Sequence, residues 1–242
     1  MNVLELYSGT KSVGKCCDSL GWHSVSVDLE MEADFKCDIM DFDYKQFDKD
    51  YFDIIWASPP CTYYSRLQYC WIGRKKKDGI VVTMDTIESQ RKEADKLMIR
   101  TFEIIDYFNC KWWFVENPLS CLKDREVMKD RFYHVVDYCK YSDWGYKKRT
   151  CIWTNKTEWT PLICNKDCRN MVNDHHQKVL ANGYAMIDGK KVVCNTKVKR
   201  DSLRNKKVAD GGGNRDRTLG SGTDKYERYR IPPDLIYSLF LK

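Results

Sequence analysis

The 242-residue sequence has no apolar run that approaches the ~20 residues required for a membrane-spanning helix. Its first residues, Met-Asn-Val-Leu-Glu-Leu, include no basic segment of the kind that begins a signal peptide. Hydrophobic residues make up 43% of the chain and charged residues 31%, which excludes a disordered or a collagen-like protein. These features predict a globular intracellular protein that is not secreted and has no membrane partner.

Cysteine, by contrast, is abundant, with twelve residues between Cys16 and Cys194. A chain of this length can bury roughly 70% of its unfolded surface, so it does not need covalent cross-links to fold. In a reducing compartment we expect most of these cysteines to be thiols that pack as small hydrophobic residues. One or two can still be chemically active.

Charge is distributed unevenly along the chain. Residues 1–60 contain 5 Lys and Arg against 12 Asp and Glu, whereas the remainder contains 36 against 23. An acidic first part and a basic remainder suit a small cationic ligand at one end and a polyanion at the other. The simpler alternative is that the basic segments are solvated loops.

Short apolar runs alternate with amphipathic segments in the first half of the chain. Residues 2–7, 23–27, 51–57 and 111–115 have the composition of strands, and residues 86–108 have the spacing of a long amphipathic helix. Strand, helix and strand in this order predict an α/β fold with a doubly wound, mostly parallel sheet.

The composition changes after residue 155. Residues 156–225 are basic and rich in turn-forming residues, which favours a module built from loops. The prolines before residues 235–241 then introduce a last apolar helix. We predict a first domain at 1–155, a small basic region at 156–225, and a C-terminal helical segment at 226–242 that returns to the first domain.

A turn of small residues follows the first predicted strand at Tyr7, Ser8 and Gly9, where a ligand could approach backbone N–H groups. Asp28 ends the second strand, where a nucleoside-binding α/β fold places a carboxylate for ribose hydroxyls. Asp38 follows the third and could meet an adenine amino group. Either aspartate alone is more simply explained as a helix cap or as part of a solvated turn. The two together, at successive strand ends, indicate a nucleoside ligand.

The segment Asp-Ile-Ile-Trp-Ala-Ser-Pro-Pro-Cys at 53–61 places Cys61 just beyond a buried strand. Ligands bind at this carboxyl edge in open α/β sheets, and a thiol there can act as a nucleophile. The next strand runs into Phe-Val-Glu-Asn-Pro at 114–118, which brings Glu116 to the same edge. Cys61 and Glu116 together suggest a thiol nucleophile with a carboxyl group that acts as an acid.

The chain resembles the cytosine-5 DNA methyltransferases, particularly the compact ones of phages and large DNA viruses. The motifs that carry the resemblance are LYSGT (6–10), SVDLE (26–30), CDI (37–39), SPPCTYYS (58–65), VENP (115–118), YSDWGYKKRTCIWTN (141–155) and RIPPDL (230–235). They span the whole chain except about 156–225, which would be the target-recognition region. The resemblance implies a Rossmann-like fold.

It also implies roles for single residues. Cys61 would attack C6 of a flipped cytosine, Glu116 would hold or protonate N3, and Arg149 would steady the base and Glu116. The methyl donor would be S-adenosyl-L-methionine, with double-stranded DNA as the partner of a monomeric enzyme in the cytoplasm or nucleus of a host. The expected cofactor-binding positions are Tyr7, Ser8, Gly9, Asp28, Asp38 and Pro59.

The sequence departs from the family pattern at three places. Cys151 stands where the family has a second arginine, so Lys147 or Lys148 would have to replace that contact. Thr62 replaces the usual glutamine after the catalytic cysteine, and Tyr229-Arg230 precedes the final prolines in place of Gly-Asn-Ala. None of these changes removes the nucleophile or the acid.

Residues 66–92 form a polar connection that could close over DNA as a basic lid. Its basic residues are Arg66, Arg74, Lys75, Lys76 and Lys77. A solvated loop is the alternative reading.

A pair of cysteines, Cys164 and Cys168, precedes His175 and His176 in an arrangement that could hold zinc. The spacing is loose and no fourth ligand is evident, because Cys139 and Cys194 are both only candidates. The sequence therefore does not assign a metal.

Two other functions remain compatible with the sequence. A tRNA cytosine-5 methyltransferase would share the Pro-Pro-Cys and Glu-Asn motifs, and the basic glycine-rich region does not discriminate between DNA and RNA. A catalytically inactive DNA-binding relative is the second alternative, which the change at Cys151 favours.

Overall fold

The computed structural model describes residues 1–76, 78–172, 175–176, 184–187, 190–193 and 229–241. The chain forms two compact units: Met1–Val135 with Thr150–Pro161, and Val136–Arg149 with Leu162–Lys242. No helix within the described ranges is long and apolar enough to cross a membrane. The predicted domain limits at residues 155 and 225 stay predictions, because much of 156–225 lies outside the described residues.

A seven-stranded mixed sheet forms the centre of the fold, in the order β3-β2-β1-β4-β5-β7-β6. Its strands are β1 (Asn2–Leu6), β2 (His23–Asp28), β3 (Phe35–Lys36), β4 (Ile54–Ala57), β5 (Trp112–Pro118), β6 (Tyr133–Asp137) and β7 (Arg149–Thr154). The pairs β1–β2, β2–β3, β1–β4 and β4–β5 are parallel, and β5–β7 is antiparallel. This mostly parallel α/β sheet confirms the predicted fold class, a Rossmann-like one.

The order of the sheet reverses at β1. After β1 the chain builds outward through β2 and β3, and then returns to the other side of β1 to add β4 and β5. The carboxyl ends of β1 and β4 therefore lie side by side at a topological switch point, where open α/β sheets form a ligand crevice. The two turns that carry the motifs, Tyr7–Gly9 and Ser58–Cys61, follow directly after these two strands.

Helices α1 (Ser12–Leu20) and α2 (Met84–Tyr107) lie in the connections between parallel strands. Helix α2 begins two residues before the predicted start, because Thr83 and Thr86 form a capping box with bonds of 3.1 and 2.8 Å. The polar connection predicted at residues 66–92 is therefore a loop only as far as Thr83. Its remaining residues belong to the first part of α2. The apolar face of α2 is buried, as its spacing predicts.

Strand β5 extends to Pro118, although the sequence analysis ended it at residue 115. The extension follows from the antiparallel neighbour, since Glu116, Asn117 and Pro118 pair with Ile152, Cys151 and Thr150 of β7. Proline is tolerated there because it is the last residue of the strand.

The second unit contains short elements that the sequence analysis did not predict. Strands β8 (Met171–Val172) and β9 (His175–His176) form one antiparallel pair, and β10 (Tyr184–Ile187) and β11 (Lys190–Val193) form another. Helix α3 (Pro233–Leu241) begins at a proline, as predicted. Its return to the first domain stays a prediction.

A buried carboxyl group joins β1 to α1. Glu5 is 2% exposed, and its two oxygens accept the N–H groups of Val13 (3.0 Å) and Gly14 (2.9 Å) in the first turn of the helix. These donors have no partner within the helix, so Glu5 fixes the direction in which the chain leaves the turn. Burial raises the pKa of Glu5 to about 7, in spite of these two bonds.

Replacing Glu5 with glutamine should change the pH dependence of stability. The folded carboxyl keeps its proton to about pH 7, whereas the unfolded one loses it near 4.5, so its favourable contribution is lost as the pH rises between these values. The stability of the wild type relative to Glu5→Gln should therefore be greater at low pH than at neutral pH in urea unfolding. A difference that does not vary with pH would contradict this, and the exposed Glu93→Gln is the control.

Candidate active site

The turn after β1 has an unusual backbone. Tyr7 and Gly9 both have positive φ angles, 57° and 51°, which glycine adopts readily and tyrosine does not. The Tyr7 hydroxyl group is held on α2, within 3.2 Å of the Leu97 carbonyl oxygen and 3.0 Å of Thr101 Oγ1. Because its side chain anchors the turn to the helix, Tyr7 offers a ligand mainly its backbone.

Ser8 is 6% exposed, and its backbone N–H donates to the Val27 carbonyl oxygen at 3.1 Å. Its Oγ atom is buried and makes no hydrogen bond within the part of the chain that the structure describes. A buried hydroxyl group without a partner is costly. A polar ligand at this turn would supply the missing partner.

Asp28 lies beside this turn, at the end of β2. Its Oδ2 accepts the Gly9 N–H at 2.8 Å, and its Oδ1 accepts the N–H groups of Glu30 (2.9 Å) and Met31 (2.8 Å). The carboxylate therefore ties the ends of β1 and β2 together. This is the capping role that the sequence also allowed, and it brings Asp28 to the predicted cofactor turn.

Asp38 follows β3, and its Oδ1 accepts the Met40 N–H at 2.9 Å. Burial raises the pKa of Tyr7, and the negative charge of Asp38 adds to this shift, so the two groups lie within electrostatic range of each other. Tyr7, Asp28 and Asp38 thus stand at or just beyond the carboxyl ends of β1, β2 and β3.

One hydrogen bond joins the two chemical motifs. The side chain of Asn117, which is 0% exposed, donates from Nδ2 to the Pro59 carbonyl oxygen at 2.9 Å. It thus connects β5 to the proline turn after β4. The sequence analysis quoted Asn117 within a motif and gave it no role, because its partner Pro59 lies 58 residues away in the chain.

Cys61 and Glu116 stand on the two elements that this bond joins. Ala57, the last residue of β4, pairs with Val115, so Glu116 is the next residue on β5. Glu116 is 5% exposed, whereas Cys61 is half-buried and precedes a 3-10 turn at Thr62–Tyr64. The structure therefore brings both predicted residues to the same sheet edge, where Cys61 is half-buried and Glu116 is buried.

The segment after Cys61 is held by α2. Arg91, 5% exposed, donates from Nε to the Tyr63 carbonyl oxygen (3.2 Å) and from Nη1 to the Tyr69 hydroxyl group (3.1 Å). Tyr64 also bonds Asp95 of this helix at 3.1 Å. Arg91 was missed in the sequence, although a charge on the buried face of a predicted helix is a recognisable signal.

The loop from Arg66 to Thr83 differs from the polar lid that the sequence predicted. Lys75 and Val81 form an antiparallel bridge, and the loop exposes large apolar side chains beside its basic ones. These apolar side chains are Leu67, Tyr69, Trp71, Ile72, Ile80 and Val81. Lys77, the last of the predicted basic residues, lies outside the described residues.

Cys151 occupies the position of the second arginine in the family pattern, and it is buried in the core of the first unit. Burial raises its pKa to about 12, an effect that Lys123 opposes and Glu116 reinforces. The thiol therefore stays neutral, and this position serves packing here. Lys147, proposed as a substitute, contacts the Cys164 carbonyl oxygen (3.1 Å) and Asp137 (3.2 Å).

Arg149 belongs to the second unit, where it forms a bidentate ion pair. Its Nε and Nη2 donate to the two oxygens of Asp137 at 3.0 and 2.9 Å. These bonds raise the pKa of Arg149. They also lower the pKa of Asp137, with help from Lys147 and the Cys164 N–H, even though burial alone would raise it. The base-steadying role of Arg149 stays a prediction, and Asp137 is a partner that the sequence did not reveal.

Comparison with known proteins identifies the family. No family model matches the sequence. The chain is 36% identical over 243 residues to the probable DNA (cytosine-5)-methyltransferase of Frog virus 3 (isolate Goorha), and the alignment covers 99% of this chain and 98% of that protein. The chain therefore belongs to the cytosine-5 DNA methyltransferase family, as its motifs indicate.

Two solved structures are also similar. The Dnmt2 methyltransferase of S. pombe matches with a TM-score of 0.38 and 14% identity, over 64% of this chain and 48% of that one. A mutant DNMT2 of Spodoptera frugiperda matches with a TM-score of 0.39 and 16% identity, over 68% and 53%. The chain thus spans about half the length of each.

Replacing Asn117 with alanine should destabilise the protein, because the buried Pro59 carbonyl group would lose its donor. We expect a loss of about 1–3 kcal/mol in the free energy of unfolding, measured in urea. Asn109→Ala is the control, since Asn109 is exposed and its bond to Asp50 is at the surface. It should change stability by less than about 0.5 kcal/mol. Equal stability of Asn117→Ala and the wild type would show that the bond does not hold the turn.

Proposed function

We propose that the chain transfers a methyl group from S-adenosyl-L-methionine to C5 of a cytosine in double-stranded DNA. The observation that carries this proposal is the bond from Asn117 to Pro59, which holds the cysteine and carboxyl motifs at one sheet edge. The chain's membership of the family supports the same reaction.

Cys61 is the proposed nucleophile. Its thiolate would add to C6 of the cytosine, and the electron pair displaced from the ring would make C5 nucleophilic. Glu116 would hold N3 and supply a proton there, which makes C6 more electrophilic. C5 would then take the methyl group, and S-adenosyl-L-homocysteine would be left as the second product. Loss of the C5 proton to a water molecule, departure of the thiolate from C6 and return of the N3 proton to Glu116 would release the methylated base and the enzyme.

The target cytosine must leave the duplex for this chemistry, because C6 is stacked between neighbouring bases in the helix. The half-buried position of Cys61 is compatible with a base that enters from solvent. The exposed aromatic and basic side chains of the loop from Arg66 to Thr83 would face the nucleic acid.

The turn after β1 is the proposed place of the cofactor, which when bound supplies the electrophilic methyl group. Ser8 Oγ, buried without a partner within the described residues, fits a polar ligand there. Asp28 and Asp38 would bind the nucleoside hydroxyl and amino groups, while the Gly9 backbone leaves space for a close approach.

A covalent trap tests the nucleophile. DNA with 5-fluorocytosine at the target position, together with S-adenosyl-L-methionine, should give a protein–DNA adduct that survives denaturing gels, because fluorine at C5 blocks the elimination step. Cys61→Ser should abolish the adduct, since an alcohol of ordinary pKa is a far weaker nucleophile. Glu116→Gln should form it much more slowly, because it lacks the proton for N3.

Cys110→Ser is the matched control, because Cys110 precedes β5 and therefore lies at the opposite, amino edge of the sheet. This variant should form the adduct like the wild type. An adduct with Cys61→Ser, or attachment at another cysteine, would refute the proposed mechanism.

Calorimetry tests the proposed cofactor site. Asp28→Ala should weaken the binding of S-adenosyl-L-methionine by about 1–3 kcal/mol in calorimetry, because a hydrogen-bonded group is lost from the turn. Asp18→Ala, at an exposed position of α1, should leave the affinity unchanged. Since Asp28 also binds three backbone N–H groups, the fold of the variant is checked by circular dichroism. Wild-type affinity in folded Asp28→Ala would exclude Asp28 as a cofactor ligand.

The salt dependence of binding tests the proposed contact with DNA. Affinity should fall steeply with salt, with a log–log slope of about −0.9 for each phosphate contact. The double variant Lys75→Ala/Lys76→Ala should reduce the magnitude of this slope by about 2. Lys96→Ala removes a charge that already pairs with Glu93 and should leave the slope unchanged. A slope that the double variant does not alter would place these lysines away from DNA.

A further inference from the structure

Three cysteines and a histidine converge in the second unit. Their ligand atoms, one each from Cys139, Cys164, Cys168 and His176, all lie within 4.8 Å of one another. The three cysteines are buried, with exposures of 1%, 4% and 8%, and His176 is half-buried. They come from the turn after β6, from the loop before β8 and from β9.

The distances from the histidine to two of the cysteines are close to those of a tetrahedral metal site. With bonds of about 2.3 Å to sulfur and about 2.0–2.1 Å to nitrogen, tetrahedral ligands lie about 3.5–3.8 Å apart. His176 Nε2 is 3.6 Å from Cys164 Sγ and 3.3 Å from Cys168 Sγ. Four such ligands saturate the coordination shell, which is typical of structural rather than catalytic zinc.

The residues around the cluster suit ligands that carry negative charge. Lys166 has a positive φ of 66°, which turns the loop back so that both cysteines face the same point. The ammonium groups of Lys140 and Lys147 bind Asp167 (2.9 Å) and the Cys164 carbonyl oxygen (3.1 Å) at the edge of the cluster.

We propose that Cys139, Cys164, Cys168 and His176 bind one Zn²⁺ ion as a structural Cys₃His site. Thiolate and imidazole ligands in a tetrahedral arrangement select zinc among the common divalent ions. A β-strand pair of two residues each, such as β8–β9, cannot form a stable core alone, so a metal would explain how this segment is held.

The proposed site is connected to Arg149 through one shared carboxylate. The Cys164 N–H donates to Asp137 Oδ2 at 2.9 Å, and the same oxygen accepts from Arg149 at 2.9 Å. Zinc would fix the position of Cys164 and thereby the position of the Asp137 carboxylate, which orients the guanidinium group of Arg149. Such partners beyond the ligands commonly tune and orient metal sites.

Metal analysis of the purified full-length chain tests the proposal. After dialysis against a weak chelator, mass spectrometry of the metals should find about one zinc per chain in the wild type. Cys168→Ser should lose most of it, and Cys110→Ser, a cysteine outside the cluster, should keep it. A second measurement uses only the wild type and therefore does not depend on the folding of a variant. A mercurial reagent that modifies the thiols should release one zinc, detected with a chromogenic chelator.

Cobalt substitution adds a spectroscopic test of the ligand set. The wild type with Co²⁺ should show the visible bands of a tetrahedral site with thiolate ligands. His176→Cys should restore binding that His176→Ala weakens, with bands shifted as expected for four sulfur ligands. A folded wild-type chain without stoichiometric zinc, a disulfide between Cys164 and Cys168 in its mass spectrum, or full zinc retention in Cys168→Ser would overturn the proposal.

Discussion

The bond from Asn117 to Pro59 is the constraint on which the active-site edge depends. Strands β4 and β5 are parallel, so their carboxyl ends lie together, but the chain beyond each end could leave the sheet in many directions. The buried amide of Asn117 removes that freedom on β4 by binding the carbonyl group of its proline turn. Two prolines in succession restrict the backbone further, since each fixes its own φ. Cys61 and Glu116 are thereby presented from one framework.

The proposed cofactor side of the same edge is organised by carboxyl groups that bind backbone N–H groups. Glu5 holds the start of α1, and Asp28 holds Gly9 and the end of β2. The acidic character of residues 1–60 thus has a structural cause at these positions, because each carboxylate satisfies donors that the turns leave unpaired. The attraction of this acidic part for a cationic ligand stays a prediction.

Much of this arrangement could be predicted from the sequence because it depends on local patterns. Apolar runs bounded by Gly and Pro placed the strands, and their order along the chain placed Cys61 and Glu116 at one edge. The pairing of β5 with β7 was not predictable in this way, because it brings together residues about 35 positions apart, and it extends the strand through Pro118. Cys151 is a similar case, since its role in packing follows from that pairing.

The proposed metal site shows the same limit most clearly. The sequence revealed Cys164, Cys168 and a neighbouring histidine, but it could not choose between Cys139 and Cys194 as a further ligand. Cys139 follows β6, and only the tertiary structure brings it to the loop at 164–168. Cys194 lies outside the described residues.

The central claim is that Cys61 and Glu116 form a cytosine-5 methyltransferase site that acts on DNA. Its most direct test measures the transfer of tritiated methyl groups from S-adenosyl-L-methionine to duplex DNA and to tRNA under identical conditions. The account predicts label in 5-methylcytosine of the duplex with the wild type and none with Cys61→Ser. Label in tRNA alone, or no transfer to either nucleic acid by the folded wild type, would contradict it.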